Sequence, residues 1–189
     1  MKRVCIDPGH GGIQPGAVYG DLLEKDVNLK VAEYAVEGLR AVNSDIWIGL
    51  TRTFDRTTSL QERCDLSNGM NVDCFISIHC NADPDTDEPG MPEARGEEIW
   101  FFKGSREGLK LSQCLSDEVD QIFPDEPFRG IKETEGLYVL KHTNAPACLI
   151  EIGFIDKSSS VETFSDELTL RKIGALVARG INEYLSLVR

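Results

Sequence analysis

Short apolar runs alternate along this chain with longer stretches in which apolar residues recur at helical spacing. Residues 3–7 (Arg-Val-Cys-Ile-Asp) form an apolar run halted by Pro8-Gly9, which predicts a buried strand. The glycine-rich segment to Gly20 reads as a loop. Between 21 and 41, Val27, Val31, Tyr34 and Ala35 recur every three or four residues, predicting a helix. Further strands are predicted at 46–50, 72–78, 98–102, 137–140 and 147–152. Helices are predicted at 60–68, with Ser59 as its cap and Gly69 as its stop, and at 105–123, ended by Pro124. The last helix spans 166–188, where Leu170, Ile173, Leu176, Val177 and Ile181 share one face. Residues 83–95 are acidic and dense in turn formers, so a mobile loop is expected there.

Strands alternating with helices imply a layered α/β fold with a largely parallel sheet. No repeat or linker divides the pattern, so 1–189 reads as one domain. A chain of 189 residues, 41% of them hydrophobic, is long enough to bury a core without disulfide or metal staples. The six cysteines, Cys5, Cys64, Cys74, Cys80, Cys114 and Cys148, form no C-x-x-C pair and fall mostly in apolar runs. Reduced, buried thiols are therefore expected. A formal net charge of −12 argues against a nucleic-acid partner. No apolar run approaches the roughly 18 residues of a membrane helix. Met1-Lys2-Arg3 leads directly into a strand rather than an apolar segment, so no signal peptide is expected and synthesis in the cytoplasm is. A monomer is expected.

Three polar residues fall at or near the ends of predicted buried strands: His10, His79 and Glu151. Sites in open α/β sheets gather outside the carboxyl ends of strands, which makes these three candidate neighbours. His10 lies among glycines in Asp7-Pro8-Gly9-His10-Gly11-Gly12, accessible in a sharp turn, and a turn histidine without special role fits as well. The absence of a G-x-x-x-x-G-K-[ST] pattern excludes a nucleotide loop of that type. His79 follows an apolar run, where a satisfied core histidine is the alternative. Two imidazoles and a carboxylate suit a catalytic zinc, which keeps a fourth position for water. Cys80, adjacent to His79 along a strand, should point into the core instead. Glu24 closes Asp21-Leu22-Leu23-Glu24, which also reads as a D-x-x-E capping box. Glu151 stands inside Leu149-Ile150-Glu151-Ile152, where a carboxylate is costly unless paired, protonated or bound to a metal. An ordinary salt bridge is the alternative there. His142, between Lys141 and Thr143, reads as exposed. Neither H-E-x-x-H nor G-x-S-x-G occurs, which removes the commonest zincin and serine-hydrolase patterns.

Six segments, in order, resemble the zinc-dependent N-acetylmuramoyl-L-alanine amidases of the Amidase 3 type. They are Ile6-Asp7-Pro8-Gly9-His10-Gly11-Gly12, Glu24-Lys25-Asp26-Val27-Asn28-Leu29, Ser77-Ile78-His79-Cys80-Asn81-Ala82, Arg129-Gly130-Ile131-Lys132, Leu137-Tyr138-Val139-Leu140-Lys141, and Ala145-Pro146-Ala147 running into Leu149-Ile150-Glu151-Ile152-Gly153-Phe154. The resemblance implies one zinc ion held by His10, Glu24 and His79, with Glu151 as the catalytic glutamate. It also implies substrate contacts at Asn81, Arg129 and Lys141, and a twisted, mostly parallel sheet of about six strands with helices on both faces. Two positions depart from the family pattern. Asp156-Lys157 stands where Ser-Asn or Thr-Asn is usual, and Lys141 where arginine is common.

The implied reaction is hydrolysis of the amide between N-acetylmuramic acid and L-alanine in bacterial peptidoglycan. Two other functions remain open at this point: a zinc carboxypeptidase-like peptidase acting on stem peptides, and a non-catalytic wall-binding module. A wall enzyme without an export signal resembles an endolysin or a mother-cell lysin, acting after release, or an excised catalytic domain.

Overall fold

The computed structural model describes residues 1–83, 94–156 and 158–188. The expected acidic loop falls almost wholly outside them, as does Lys157.

The elements in chain order are strands β1 (Lys2–Pro8), β2 (Val18–Tyr19) and β3 (Leu22–Leu23), helix α1 (Glu24–Val42), strand β4 (Ile46–Leu50), helix α2 (Leu60–Met70), and strands β5 (Cys74–Asn81) and β6 (Glu98–Phe102). There follow helix α3 (Arg106–Val119), strand β7 (Ile131–Thr134), helix α4 (Tyr138–His142), strand β8 (Ala147–Phe154) and helices α5 (Ser158–Ser165) and α6 (Glu167–Leu187). Six strands form one sheet in the order β4-β1-β5-β8-β6-β7. All pairings are parallel except β6 with β8. This is the expected α/β architecture.

Period-two alternation divides each central strand between two layers. Val4 and Ile6, Ile76 and Ile78, Cys148, Ile150 and Ile152, and Ile99 face a large core with α1, α3 and α6. Cys5, Phe75, Leu149 and Trp100 face a smaller core with α2 and α4. Continuing that second register toward one end of the sheet gives Asp7, His79, Glu151 and Glu98. At this end of the sheet His79 and Glu151 are only partly buried, while Asp7 and Glu98 are buried.

Three expectations are corrected. The run 137–140 is not a strand: Tyr138–His142 is helical, with Val139 and Leu140 buried against the sheet. So short an apolar run carries no period that separates helix from strand. The strand in its place is β7, Ile-Lys-Glu-Thr, whose polar character suits the edge of the sheet. Second, Asp21 caps nothing. Leu22–Leu23 pairs with Val18–Tyr19 in a small hairpin, and α1 begins at Glu24 with no side-chain cap. Third, α3 ends at Val119 rather than Phe123. Ser59 does cap α2, with a reciprocal bond from the Ser59 N–H to Glu62. All six cysteines are buried and unpaired. No described helix is long and apolar enough to cross a membrane.

Candidate active site

His10 leaves the end of β1 with φ of 58°, a left-handed conformation unusual for a residue with a side chain. Two buried arginines impose it. Arg63, on α2, donates to the His10 carbonyl at 2.7 Å, to the Pro8 carbonyl at 2.7 Å and to Asp7 Oδ1 at 2.6 Å. Arg52, after β4, donates to the Pro8 and Gly9 carbonyls at 3.0 and 2.9 Å and to the Lys25 carbonyl at 2.7 Å. Asp7 also accepts from Thr51 Oγ1 at 2.5 Å and Ser77 Oγ at 2.7 Å, so its buried charge is fully paired. The loop carrying His10 is therefore over-determined by its surroundings, as a strained site requires.

Glu24 enters from the opposite side, at the first turn of α1. The β2–β3 hairpin folds the chain back so that Ala17 N–H donates to Glu24 Oε2 at 2.8 Å. Cys80 N–H and Asn28 Nδ2 donate to Oε1 at 3.0 and 3.2 Å. These bonds aim the carboxylate between two rings: Oε2 lies 3.2 Å from His10 Nε2 and Oε1 lies 3.0 Å from His79 Nδ1. Burial alone would push the Glu24 carboxyl up, but the hydrogen bonds and charges of His10 and His79 hold it well below the ordinary carboxylate range. Close packing also specifies two glycines. A Cβ at Gly9 would sit 2.3 Å from the His79 ring, and one at Gly16, where φ is +72°, would sit 2.3 Å from Glu24 Oε2.

One ligand atom from each of His10, Glu24 and His79 lies within 4.8 Å of the others. Two imidazoles and an ionised carboxylate, converging at that spacing on a partly open surface, fit a divalent ion of the zinc type. Cys80 takes no part, because its Sγ points back to Asn28 Oδ1 at 3.6 Å inside the core.

Glu151 is the register partner of His79 on the neighbouring strand. Beyond it the register slips by one residue, with Asn81 opposite Phe154. Glu151 Oε2 is buried without a hydrogen-bond partner. Burial pushes its carboxyl up to about 7, with His79 opposing and the carboxylates of Glu24 and Glu98 adding to the rise. Beside His10 and His79 opens a cleft of about 750 Å³, walled by Ile13, Leu60, Leu137 and Tyr138.

A model of the N-acetylmuramoyl-L-alanine amidase family matches residues 4–183. The chain belongs to that family. It is 29% identical to the germination-specific N-acetylmuramoyl-L-alanine amidase of Bacillus subtilis, over 98% of this chain and 80% of that one. Among solved structures, it is similar to an N-acetylmuramoyl-L-alanine amidase from Clostridium difficile 630, with a TM-score of 0.87 and 30% identity over 98% of this chain and 97% of that one. It is also similar to the CwlD amidase of Clostridioides difficile in complex with the GerS lipoprotein, with a TM-score of 0.89 and 28% identity over the full length of both.

Within this member of the amidase family, two of the other expected site residues stand together near Glu151 and the third, Lys141, lies apart. Asn81 Nδ2 donates to Glu98 Oε1 at 3.1 Å, and Arg129 Nε donates to Glu98 Oε2 at 2.8 Å. Both stand near Glu151, since Glu98 is its register partner on β6. Lys141 is exposed on α4, beside a separate pocket shared with Ser105 and Glu107. His142 is exposed and stacks on Tyr138, with ring centroids 4.1 Å apart. The residues that the sequence reading did not single out are those that position the site: Asp7, Asn28, Arg52, Arg63 and Glu98. Glu24 and Asn28 are four residues apart on one helical face, a signal open to inspection. Nothing local distinguishes Arg52 and Arg63 from solvated arginines.

Proposed function

We propose that this chain hydrolyses the amide bond between N-acetylmuramic acid and L-alanine in bacterial peptidoglycan. In this reading His10, Glu24 and His79 hold one zinc ion and Glu151 serves as the general base. The observation that carries it is the placement of Glu151, with its buried and unpartnered Oε2, in register beside a His–Glu–His cluster. Membership of the amidase family supplies the substrate class.

The ion supplies Lewis-acid polarisation of the scissile carbonyl and acidification of a water molecule. His10 and His79 present ring nitrogens to it, while Glu24, fixed by Ala17, Cys80 and Asn28, adds one negative charge. Arg63 holds the His10 carbonyl and Arg52 the carbonyls of Pro8 and Gly9, which would keep the loop in place for the ion. The Glu151 carboxylate takes a proton from the attacking water and returns it to the departing alanine nitrogen. Burial raises the proton affinity of this carboxyl, which suits it to both transfers. No side-chain nucleophile is needed.

Digestion of purified peptidoglycan, followed by mass spectrometry with and without a chelator, tests this. The expected products are intact stem peptides with a free alanine amine and glycan with free lactyl carboxylates, both lost on chelation. Release of single amino acids would instead identify a carboxypeptidase, and pelleting with walls without any cleavage would identify a binding module.

A further inference from the structure

We propose that Arg129 and Lys132, gathered on Glu98 one strand beyond Glu151, form a subsite for a carboxylate on the peptide residue that follows the scissile alanine. This deepens the amidase reading above and rests on it.

His79, Glu151 and Glu98 are register partners on three successive strands, so their side chains share one face in that order. Strands lie about 4.8 Å apart, which places the Glu98 cluster roughly 5 Å past the base and 10 Å past the histidine. Glu98 is buried and every oxygen is engaged. Oε1 accepts from Asn81 and from Trp100 Nε1 at 2.9 Å, and Oε2 accepts from Arg129 Nε and from Lys132 Nζ.

One anion thus gathers two cations, leaving a local charge of +1 in a chain whose net charge is −12. Both cations remain partly exposed, at 35% for Arg129 and 31% for Lys132, so the cluster presents positive charge to solvent beside Glu151. The cations are also held in place from below. The Arg129 guanidinium lies 5.1 Å over the Phe154 ring, and Lys132 Nζ lies 5.2 Å over Trp100. Among the described residues only Nε of Arg129 is bonded by a side chain, and the guanidinium remains partly exposed. Its two terminal nitrogens are suited to paired bonds with a carboxylate.

The opposite side of the site is different in character. There the cleft beside His10 is walled by Ile13, Leu60, Leu137 and Tyr138, and the two charged residues that also line it, Asp7 and Arg63, are paired with each other. This polarity gives the substrate a direction: the uncharged muramoyl group lies in the cleft, and the charged peptide crosses Glu151 toward β6 and β7.

The test compares two synthetic muramoyl-L-alanyl dipeptides, one ending in a free carboxylate on the second residue and one carrying a carboxamide there. The native enzyme should favour the carboxylate by roughly tenfold in kcat/KM, through KM. In Arg129→Gln/Lys132→Gln the ratio between the two substrates should fall to near one. In the exchanged variant Arg129→Lys/Lys132→Arg, which retains both charges on Glu98, a preference should persist. Because each ratio is measured on one enzyme sample, partial misfolding cancels. Equal kcat/KM for the two substrates in the native enzyme, or a preference that the double glutamine variant keeps, overturns the subsite alone. Failure of the native enzyme to cut either dipeptide or whole peptidoglycan overturns the amidase reading and the subsite with it.

Discussion

Arg63 donates a hydrogen bond to the main-chain carbonyl of His10 at 2.7 Å, from a guanidinium that also holds the Asp7 carboxylate at 2.6 Å. The two contacts link a buried charge pair to the backbone of a candidate ligand. Arg63→Ala would leave Asp7 without its buried counter-charge, and a loss of about 3–5 kcal/mol is expected in urea unfolding. Arg63→Lys is the sharper experiment. A single ammonium can keep Asp7 company but cannot span the Thr58, Pro8 and His10 carbonyls as the guanidinium does. Zinc affinity, read by competition with a chromophoric chelator, should fall about 10–100-fold while most of the stability returns. Native zinc affinity in Arg63→Lys would remove the arginine from the metal site's support.

Gly9 offers a change of one methyl group. Its Cα lies so close to the His79 ring that a Cβ would stand 2.3 Å from Cε1 and Nε2. Gly9→Ala imposes no positive-φ strain, so the chain should fold with an unchanged far-ultraviolet circular dichroism spectrum and lose about 1–3 kcal/mol. The ring must rotate away, however, and a displacement of about 1 Å at a reacting centre typically costs on the order of a hundredfold in rate. Peptidoglycan hydrolysis near the native rate would show that His79 can occupy another position and still serve.

The sequence disclosed most of this fold because its central strands are buried on both faces. Runs such as Cys74–Ile78 and Ala147–Ile152 are then nearly continuous in apolar residues. What stayed hidden was set by tertiary contact. β7 is an edge strand of Ile-Lys-Glu-Thr, with no apolar period to betray it, whereas Leu137–Leu140 looked like a strand because it is a short apolar run. His79 and Glu151 were legible as polar residues in apolar surroundings. Glu24 was not, since a glutamate three residues after an aspartate reads equally well as a cap; only the hairpin before α1 turns it inward. Arg52 and Arg63 carry no local sign of burial, and their role emerges only when β4, α2 and the His10 loop are assembled.

Ligand and base are separable by mutation. His79→Ala removes one of the three converging donors, so bound zinc should be lost, as read by elemental analysis after dialysis. Glu151→Gln should keep the metal, because Glu151 is not among those donors, and it preserves the volume of the side chain. Its turnover of peptidoglycan should nonetheless drop by about 10²–10⁴-fold, the usual contribution of a positioned base. If Glu151→Gln digests walls at the native rate, proton transfer runs through another group. If it loses zinc as His79→Ala does, Glu151 belongs to the ligand set.

Glu97 makes stability itself depend on pH. It is fully buried, its Oε1 accepts from Phe123 N–H at 2.9 Å, and its Oε2 has no partner. Burial pushes its carboxyl up to about 7, above the ordinary value of 4.5, and the nearby Glu126 and Asp120 add to the rise. Below about pH 4.5 the group is protonated in both folded and unfolded chains and costs nothing. As pH rises toward 7 the unfolded chain ionises first, so the folded state loses stability over that window, by about 3 kcal/mol once the folded group has also titrated. Glu97→Gln keeps the acceptor for Phe123 and removes the titration. Urea unfolding at pH 4.5 and pH 8 should therefore find the variant near the native protein at the lower pH and more stable than it at the higher. An unchanged difference across the two would mean that Glu97 ionises as readily in the folded chain as in the unfolded one, and that its orphaned oxygen is in reach of water.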